Sequence, residues 1–279
     1  MESTTFWPGL IREEMRISER RRILFCEQPV ASLLGLNNQC PFGKDDIKPL
    51  KFRNFRKSIR IHILLIHEWL RSWRIYEQLD VQDLITFFRK CALFHTVLDP
   101  VFISLQFGDP SKFILHNGGY VSLDPEKEKE GWEDEKEISQ ENKKKIYWPL
   151  LKRIKSDILD PMANLKLSFE ECVALKALIS IQTTIPDVSE RGKEILKRQL
   201  DNLSSSLFNN YLLCTEEDRA ERFGSILMLL SPIFETADQF VESHHQGNDI
   251  FRHMAAGQLN VAVLTETSII NLDRVLFLQ

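Results

Sequence analysis

Apolar residues spaced three or four apart run through most of this chain and predict helices along nearly its whole length. Residues 1–28 read as a charged helix with Ile11, Met15 and Ile17 on a loosely apolar side. Residues 29–52 carry Pro29, Gly35, Pro41, Gly43 and Pro49, which favour loop with no more than a helical turn at Val30–Leu36. From Phe52 to Ile75, the positions Phe55, Ile59, Ile63, Ile66 and Leu70 form one stripe and predict a long helix. The next helix starts near Asp80–Asp83, where an acid suits the positive end of the helix dipole, and continues past His95. Between Leu84 and Leu98 only Thr86, Arg89, Lys90, His95 and Thr96 are polar. A helix apolar nearly all round belongs in the middle of a layered bundle.

The pattern changes over residues 106–123, where Gly108, Pro110, Gly118 and Gly119 interrupt it. Phe113–Leu115 and Tyr120–Leu123 flank a turn and give the single hairpin signal of the chain. Residues 124–145 are rich in Glu and Lys and read as exposed loop or helix start. Helices are expected again at Ile146–Leu159, Phe169–Ile181, Glu190–Leu213 and Glu216–Glu242, with Asp187 or Ser189 as the cap of the third and Pro232 as a kink in the last. Residues 247–279 are apolar and less regular. About nine helices, one hairpin, no repeats and no clear linker predict an all-α domain of three stacked helix layers. Residues 1–50 would form a hinge-like extension and residues 51–279 the main body.

Composition changes this picture little. The 279 residues are 43% hydrophobic and 27% charged, enough apolar material for a sizeable core. A net charge of -4 gives no global basic footprint for nucleic acid, and the runs Arg20–Arg22 and Lys143–Lys145 read as solvated helix faces. Five scattered cysteines form no Cys-x-x-Cys pair and suit reduced, structural thiols. No apolar run resembles a signal peptide or reaches the length of a membrane span. A Gly-rich phosphate loop, a His-Glu-x-x-His motif and a nucleophile elbow are all missing from the sequence, so an all-α enzyme is a remote alternative. His244–His245 offer too few ligands for a metal, and no cofactor is expected.

The most informative segment is Trp69–Phe88, W-L-R-S-W-R-I-Y-E-Q-L-D-V-Q-D-L-I-T-F-F. An aromatic residue is followed two places later by Arg71, a bend falls at Tyr76–Leu79, and Asp83 opens a second apolar run through Phe87 and Phe88. This order resembles the signature joining the third, fourth and fifth helices of nuclear-receptor ligand-binding domains. Phe169-Glu170-Glu171 leading to Leu175-Lys176-Ala177-Leu178 is similar to that family's eighth helix. Arg222-Phe223 followed by Ile226, Leu227, Leu229 and Leu230 is similar to its tenth. Phe25–Pro29 and Asn142–Pro149 resemble the expanded nematode branch. The resemblance spans roughly residues 50–245.

The resemblance implies a domain that acts in the nucleus, with the cytoplasm as a second location, and regulates transcription by binding rather than by chemistry. Its occupants would be a small lipophilic ligand, a coregulator helix of the Leu-x-x-Leu-Leu kind, and a homo- or heterodimer partner from the same family. By position, Phe55, Ile59, His62, Leu93, Thr96 and Val97 would face the ligand pocket; the competing reading is that they fill a solid core. Arg71, Leu84, Ile85 and Phe88 would form the coregulator groove, with Arg71 the basic half of a charge clamp that suits the helix dipole of the partner. Arg222, Phe223, Leu227 and Phe234 would lie on the dimer face. His62 reads first as a hydrogen-bonded core histidine, and Glu171 with Arg222 as a buried structural pair.

Two departures from the family matter. The cysteines for two zinc sites are missing from this chain, so direct, sequence-specific DNA binding by it is not expected. The segment Leu272–Gln279 resembles the last family helix but has no acid after Val275-Leu276, which removes the acidic half of the clamp. Repression or dominant-negative pairing is then favoured over activation, and a degenerate receptor fragment is the other alternative.

Overall fold

A computed structural model describes residues 3–29, 31, 39–124, 127, 130–131, 139–209 and 215–256. Helix α1 spans Ser3–Phe25 and buries Trp7, Leu10 and Ile17 in the main core, with Ile11 and Met15 half-buried beside them. Arg21 and Arg22 are buried as well, so the solvated-face reading of that basic run is corrected. Arg22 donates to the carbonyls of Pro41 and Cys40 (3.0 Å each), and Gln39 O accepts from Ser18 Oγ at 2.7 Å, which staples α1 to the loop after it. Lys143 is likewise buried, whereas Lys145 is exposed.

Helix α2 spans Phe52–Arg71 and stops short of the Ile75 expected from its stripe. Ser72 and Trp73 N–H groups bond back only three residues, to Trp69 and Leu70, and Trp73 adopts an extended backbone. A 3-10 turn, Arg74–Glu77, then leads to α3, Val81–Phe107. The Asp80 carboxylate caps α3 by accepting from Asp83 N at 2.9 Å, and Gly108 in the left-handed region (φ 76°) closes its end. The turn residues of the hairpin lie between β2, Lys112–Ile114, and β3, Gly119–Ser122, which pair antiparallel with Phe113 opposite Val121. A strand not expected from the sequence, β1 at Lys48–Pro49, pairs parallel to β3 and completes a three-stranded sheet in the order β1-β3-β2. A Cβ on Gly119 would lie 2.7 Å from Leu50 Cδ1, so any larger residue there would have to push the Leu50 side chain aside.

Helix α4, Gln140–Arg153, passes through a π-helical stretch, Ile154–Leu159, into the short α5, Asp160–Asn164. Helix α6, Phe169–Thr184, opens with a capping box in which Ser168 and Glu171 bond each other's backbone, and it is buried on nearly every side. Helix α7, Glu190–Asn209, is capped by Ser189 rather than Asp187, since Ser189 Oγ accepts from Gly192 N at 3.1 Å. The single helix expected over Glu216–Glu242 is two elements: α8, Glu216–Leu227, and α9, Leu230–Ala256, with a turn at Met228–Leu229. Pro232 falls in the first turn of α9, where its missing N–H has no helical partner to lose, so it starts a helix instead of kinking one.

Helices α3 and α6 pack on each other at the centre, with α7 against α6. On one side, α1 and α2 cover this middle layer; on the other, α9 packs on α3 and α4, and α8 on α6 and α7. The architecture is the expected all-α, three-layer sandwich with one small sheet. Residues of α1 and α2 share one hydrophobic cluster with α3, α6, α7 and α9, so the first helix is built into the same body. Among the described residues, no helix is long and apolar enough to cross a membrane.

Candidate functional site

The Trp69–Phe88 segment is the mechanical joint between the outer and middle layers. Trp69 and Trp73 are fully buried with ring centroids 4.9 Å apart, and Trp73 meets Phe87 edge-on at 5.8 Å. Asp83, in the first turn of α3, accepts from both Ser189 N (2.9 Å) and Ser189 Oγ (2.6 Å). One carboxylate therefore fixes the starts of α3 and α7 together. Gly192 is small because Asp83 leaves no room: a Cβ would lie 2.3 Å from its carboxylate oxygen.

A partly exposed apolar patch adjoins this joint. On α3, Val81, Leu84, Ile85 and Phe88 recur at helical spacing; Val81 is 72% exposed, Leu84 and Ile85 are half-buried, and Phe88 is buried. On α2, Leu64 (49% exposed), His67 and Arg71 form a second stripe two turns long. His67 joins the two, packing edge-on against Phe88 at 5.5 Å and hydrogen-bonding Tyr76 Oη at 3.1 Å. Partial burial, and then the neighbouring Arg71 guanidinium, hold His67 below the ordinary histidine range, which favours its neutral form. The expected groove residues Arg71, Leu84, Ile85 and Phe88 are thus on adjoining faces, with Arg71 exposed at one end.

The six candidate pocket residues are distributed differently. His62, Thr96 and Val97 are buried, while Phe55, Ile59 and Leu93 are half-buried against the core. Thr96 Oγ1 donates to Ala92 O at 2.6 Å and is committed to its own helix. Phe55 packs on the His116 ring at 5.3 Å. Around His62 lies a buried polar cluster that reasoning from the sequence did not foresee. Arg21 donates to Asp99 Oδ2 (2.8 Å) and contacts His62 Nδ1 (3.0 Å); His62 stacks on His116 at 4.3 Å, and His116 Nε2 is 2.8 Å from Ser58 Oγ. Lys176 lies 2.7 Å from Asp99 Oδ1, an ion contact outside hydrogen-bond alignment, and 3.1 Å from Glu14. Its ammonium also sits 5.1 Å from the Trp69 ring centre.

Burial drives the titration of this cluster. It pushes His62, His95 and His116 well below the usual histidine range, and the nearby cations Arg21 and Lys176 add to that for His62 and His95. Burial would raise Asp99, but Lys176 and Arg21 overcome it and hold the carboxyl well below the usual range. Glu14 is raised by burial in spite of Lys176, and Lys176 itself is raised because Asp99 and Glu14 outweigh its desolvation. The signal available in the sequence was Asp99 and Lys176 standing inside apolar helices, which demands partners. No group of three or more metal-ligating side chains occurs among the described residues.

Comparison with known proteins decides what this arrangement is. The family described as the ligand-binding domain of nuclear hormone receptor matches residues 44–247. The chain belongs to the nuclear hormone receptor ligand-binding domain family. It is 44% identical to nuclear hormone receptor family member nhr-80 of Caenorhabditis elegans, over 95% of this chain and 51% of that protein. It is 26% identical to nhr-22 of the same organism, over 84% of this chain and 41% of the relative, and 21% identical to steroidogenic factor 1 of Notamacropus eugenii, over 79% and 44%. The chain spans about half the length of the relatives it matches.

In this receptor ligand-binding domain, the segment resembling the family's eighth helix lies on α6, and the one resembling its tenth runs from α8 through the turn at Met228–Leu229 to the start of α9. Arg222 Nε and Nη2 donate to the two Glu171 oxygens at 2.7 and 2.6 Å, and Nη1 donates to Leu165 O at 2.6 Å. This is the structural pair expected from the sequence. Of the expected dimer-face residues, Arg222 is turned toward this pair, Phe223 and Leu227 are half-buried, and the Phe223 ring lies 6.2 Å from Phe208. Phe234 packs edge-on to Phe94 at 5.7 Å, and Met228 between the two helices is 77% exposed. Ile103 is buried against the sheet residues Ile114 and Tyr120. The side chains of His244 and His245, and the terminal segment Leu272–Gln279, lie outside the description.

Proposed function

We propose that this receptor domain regulates transcription by docking a short amphipathic coregulator helix on the α2–α3 face and by pairing with a second receptor domain through residues 222–234, in the nucleus. The observation that carries this reading is the joined apolar stripe of Leu64, Val81, Leu84 and Ile85, bordered by Arg71. Exposed apolar side chains in one patch mark a binding surface. A cation at its edge suits the negative end of a docked helix. Fluorescence polarisation with a labelled Leu-x-x-Leu-Leu peptide tests it. Leu64→Glu and Val81→Asp are each expected to weaken binding by about tenfold, corresponding to about 1.4 kcal/mol. Failure of the peptide to bind, together with failure of a receptor pull-down, would refute the proposal.

A lipophilic ligand held mainly by apolar contact with Phe55, Ile59, Leu93 and Val97 would regulate that surface. A second reading, a ligand-independent interaction module, is favoured by one observation: the His62–His116 stack and the Arg21–Asp99 pair occupy the space beside these residues. The crevice next to Arg21 and Asp99 has about 20 Å³, room for about one water molecule. Calorimetric unfolding with and without a lipid extract separates the two, since a bound ligand raises the transition temperature.

A further inference from the structure

The two outer faces of α1 and α7 do not meet over the 3-10 turn; they leave a cleft of about 620 Å³. None of the α2–α3 groove residues lines it. Its floor is firm, because Leu10, Ile75 and Ile195 are buried in the main core. Its rim is cationic: Arg12 and Arg16 from α1, Arg74 from the turn and Arg198 from α7, against Glu13 as the one acid. Arg16 is neutralised by Glu13 at 2.8 Å, and Arg198 donates only to the neutral Gln78 side chain at 3.3 Å. The guanidinium groups of Arg12 and Arg74 have no ion-pair or hydrogen-bond partner among the described residues, and Arg74 accepts only at its backbone carbonyl, from Gln78 Nε2 at 3.5 Å.

This concentration of positive charge stands in a chain whose net charge is -4. A cleft lined by one sign of charge over low-dielectric walls focuses the field and attracts a counter-ion. Guanidinium groups present planar forks that match phosphate oxygens two at a time. The volume lies within the range of small-ligand sites, and three elements bound it, which suits a compact ion better than an extended acidic peptide. We propose that this cleft binds a compact polyphosphate, such as an inositol polyphosphate, gripped by Arg12, Arg74 and Arg198. The same chemistry is offered by a soluble molecule or by a phosphorylated lipid headgroup.

Isothermal titration calorimetry with inositol hexakisphosphate, at low and at physiological salt, tests the site. One-site binding is expected, weakened about tenfold or more in the Arg12→Gln/Arg74→Gln variant, the loss of at least one charge-assisted contact. The control Arg60→Gln/Arg191→Gln removes the same charge from exposed positions outside the cleft and is expected to change affinity less than about twofold. Arg12→Lys/Arg74→Lys keeps the charge but not the fork and is expected to fall between. If the Gln pair lowers the melting temperature, the single Arg74→Gln is used in its place. Sedimentation with phosphatidylcholine vesicles, with and without phosphatidylinositol bisphosphate, identifies the source. Vesicle binding lost in the cleft variant indicates the lipid headgroup, whereas hexakisphosphate binding alone indicates the soluble ion. No binding by the wild type, equal weakening by cleft and control pairs, or binding of a poly-glutamate peptide but not the hexakisphosphate would overturn the proposal.

Discussion

Replacing Asp99 by Asn isolates the electrostatic part of the core. The substitution keeps the side-chain volume, so no cavity term enters. It removes the one anion that touches both Arg21 (2.8 Å) and Lys176 (2.7 Å), which are themselves 3% and 1% exposed. Among the described residues, Glu14 then remains as the carboxylate paired with Lys176. Breaking a buried ion pair from one side costs about 3–5 kcal/mol, and here two buried cations lose their shared anion at once, Lys176 keeping only Glu14. That is a large fraction of the roughly 5–15 kcal/mol typical of a whole domain. The assay is urea unfolding followed by circular dichroism, at pH 7 and again at pH 9. Without Asp99, burial dominates and lowers the Lys176 pKa in the folded state. The unfolded chain then binds more protons, so the variant regains stability as pH rises, while the wild type does not. Adding Lys176→Met should restore part of the loss, with a coupling of about 1 kcal/mol or more. A loss below about 1 kcal/mol with no pH dependence would refute the argument and make the cluster no stronger than a surface pair.

Glu171→Gln should cost about 2–4 kcal/mol in the same assay, because Glu171 is buried, but the partner Arg222 retains 26% exposure and can recruit water. Asp80→Ala should cost about 1 kcal/mol by uncapping α3, measurable as a shifted urea midpoint with an unchanged slope. The buried His62, His95 and His116 predict acid sensitivity: their folded pKa values lie below 6.5, so the unfolded chain takes up more protons and stability falls as pH drops below about 6.5, by about 1.4 kcal/mol per pH unit for each. Glu14, raised by burial, acts in the opposite sense and offsets at most one of them. Urea midpoints at pH 7.5 and 5.5 check this, and equal midpoints would rule it out.

What was legible in the sequence is what local pattern determines. The apolar run from Leu84 to Leu98 announced a central helix, and α3 is buried nearly all round there; α6 was legible as a helix, while its place in the same layer follows from packing. The hairpin was readable because its strands and turn are consecutive. Strand β1 was not, since two residues including Pro49 carry no pattern and their pairing depends on a strand 71 positions later, Lys48 with Gly119. The break at Met228–Leu229 falls on apolar residues with no Gly or Pro, so the visible breaker, Pro232, drew the boundary to itself.

The site divides along the same line. The candidate groove residues are close in sequence, within Arg71–Phe88, and a repeating stripe places Leu84, Ile85 and Phe88 on one side of a single helix. The charged cluster joins Glu14, Arg21, Asp99 and Lys176, with Arg21 and Asp99 78 positions apart; Glu14 and Arg21 read as an exposed helix face, and Asp99 and Lys176, although they interrupt apolar helices, do not name their partners. A sequence rule that treats a short basic run as solvated fails here because the loop at Gln39–Pro41 and the opposing Asp99 supply the partners that water would otherwise supply. The cluster also bears on the pocket. An apolar cavity beside paired buried charges would strengthen their interaction by excluding water, yet any ligand reaching it must leave every one of those charges partnered. A ligand of the proposed kind would therefore have to fill space next to Phe55, Ile59 and Leu93 without displacing Arg21 or Lys176 from Asp99, because a second carboxylate brought to those cations would leave the buried Asp99 anion without a partner.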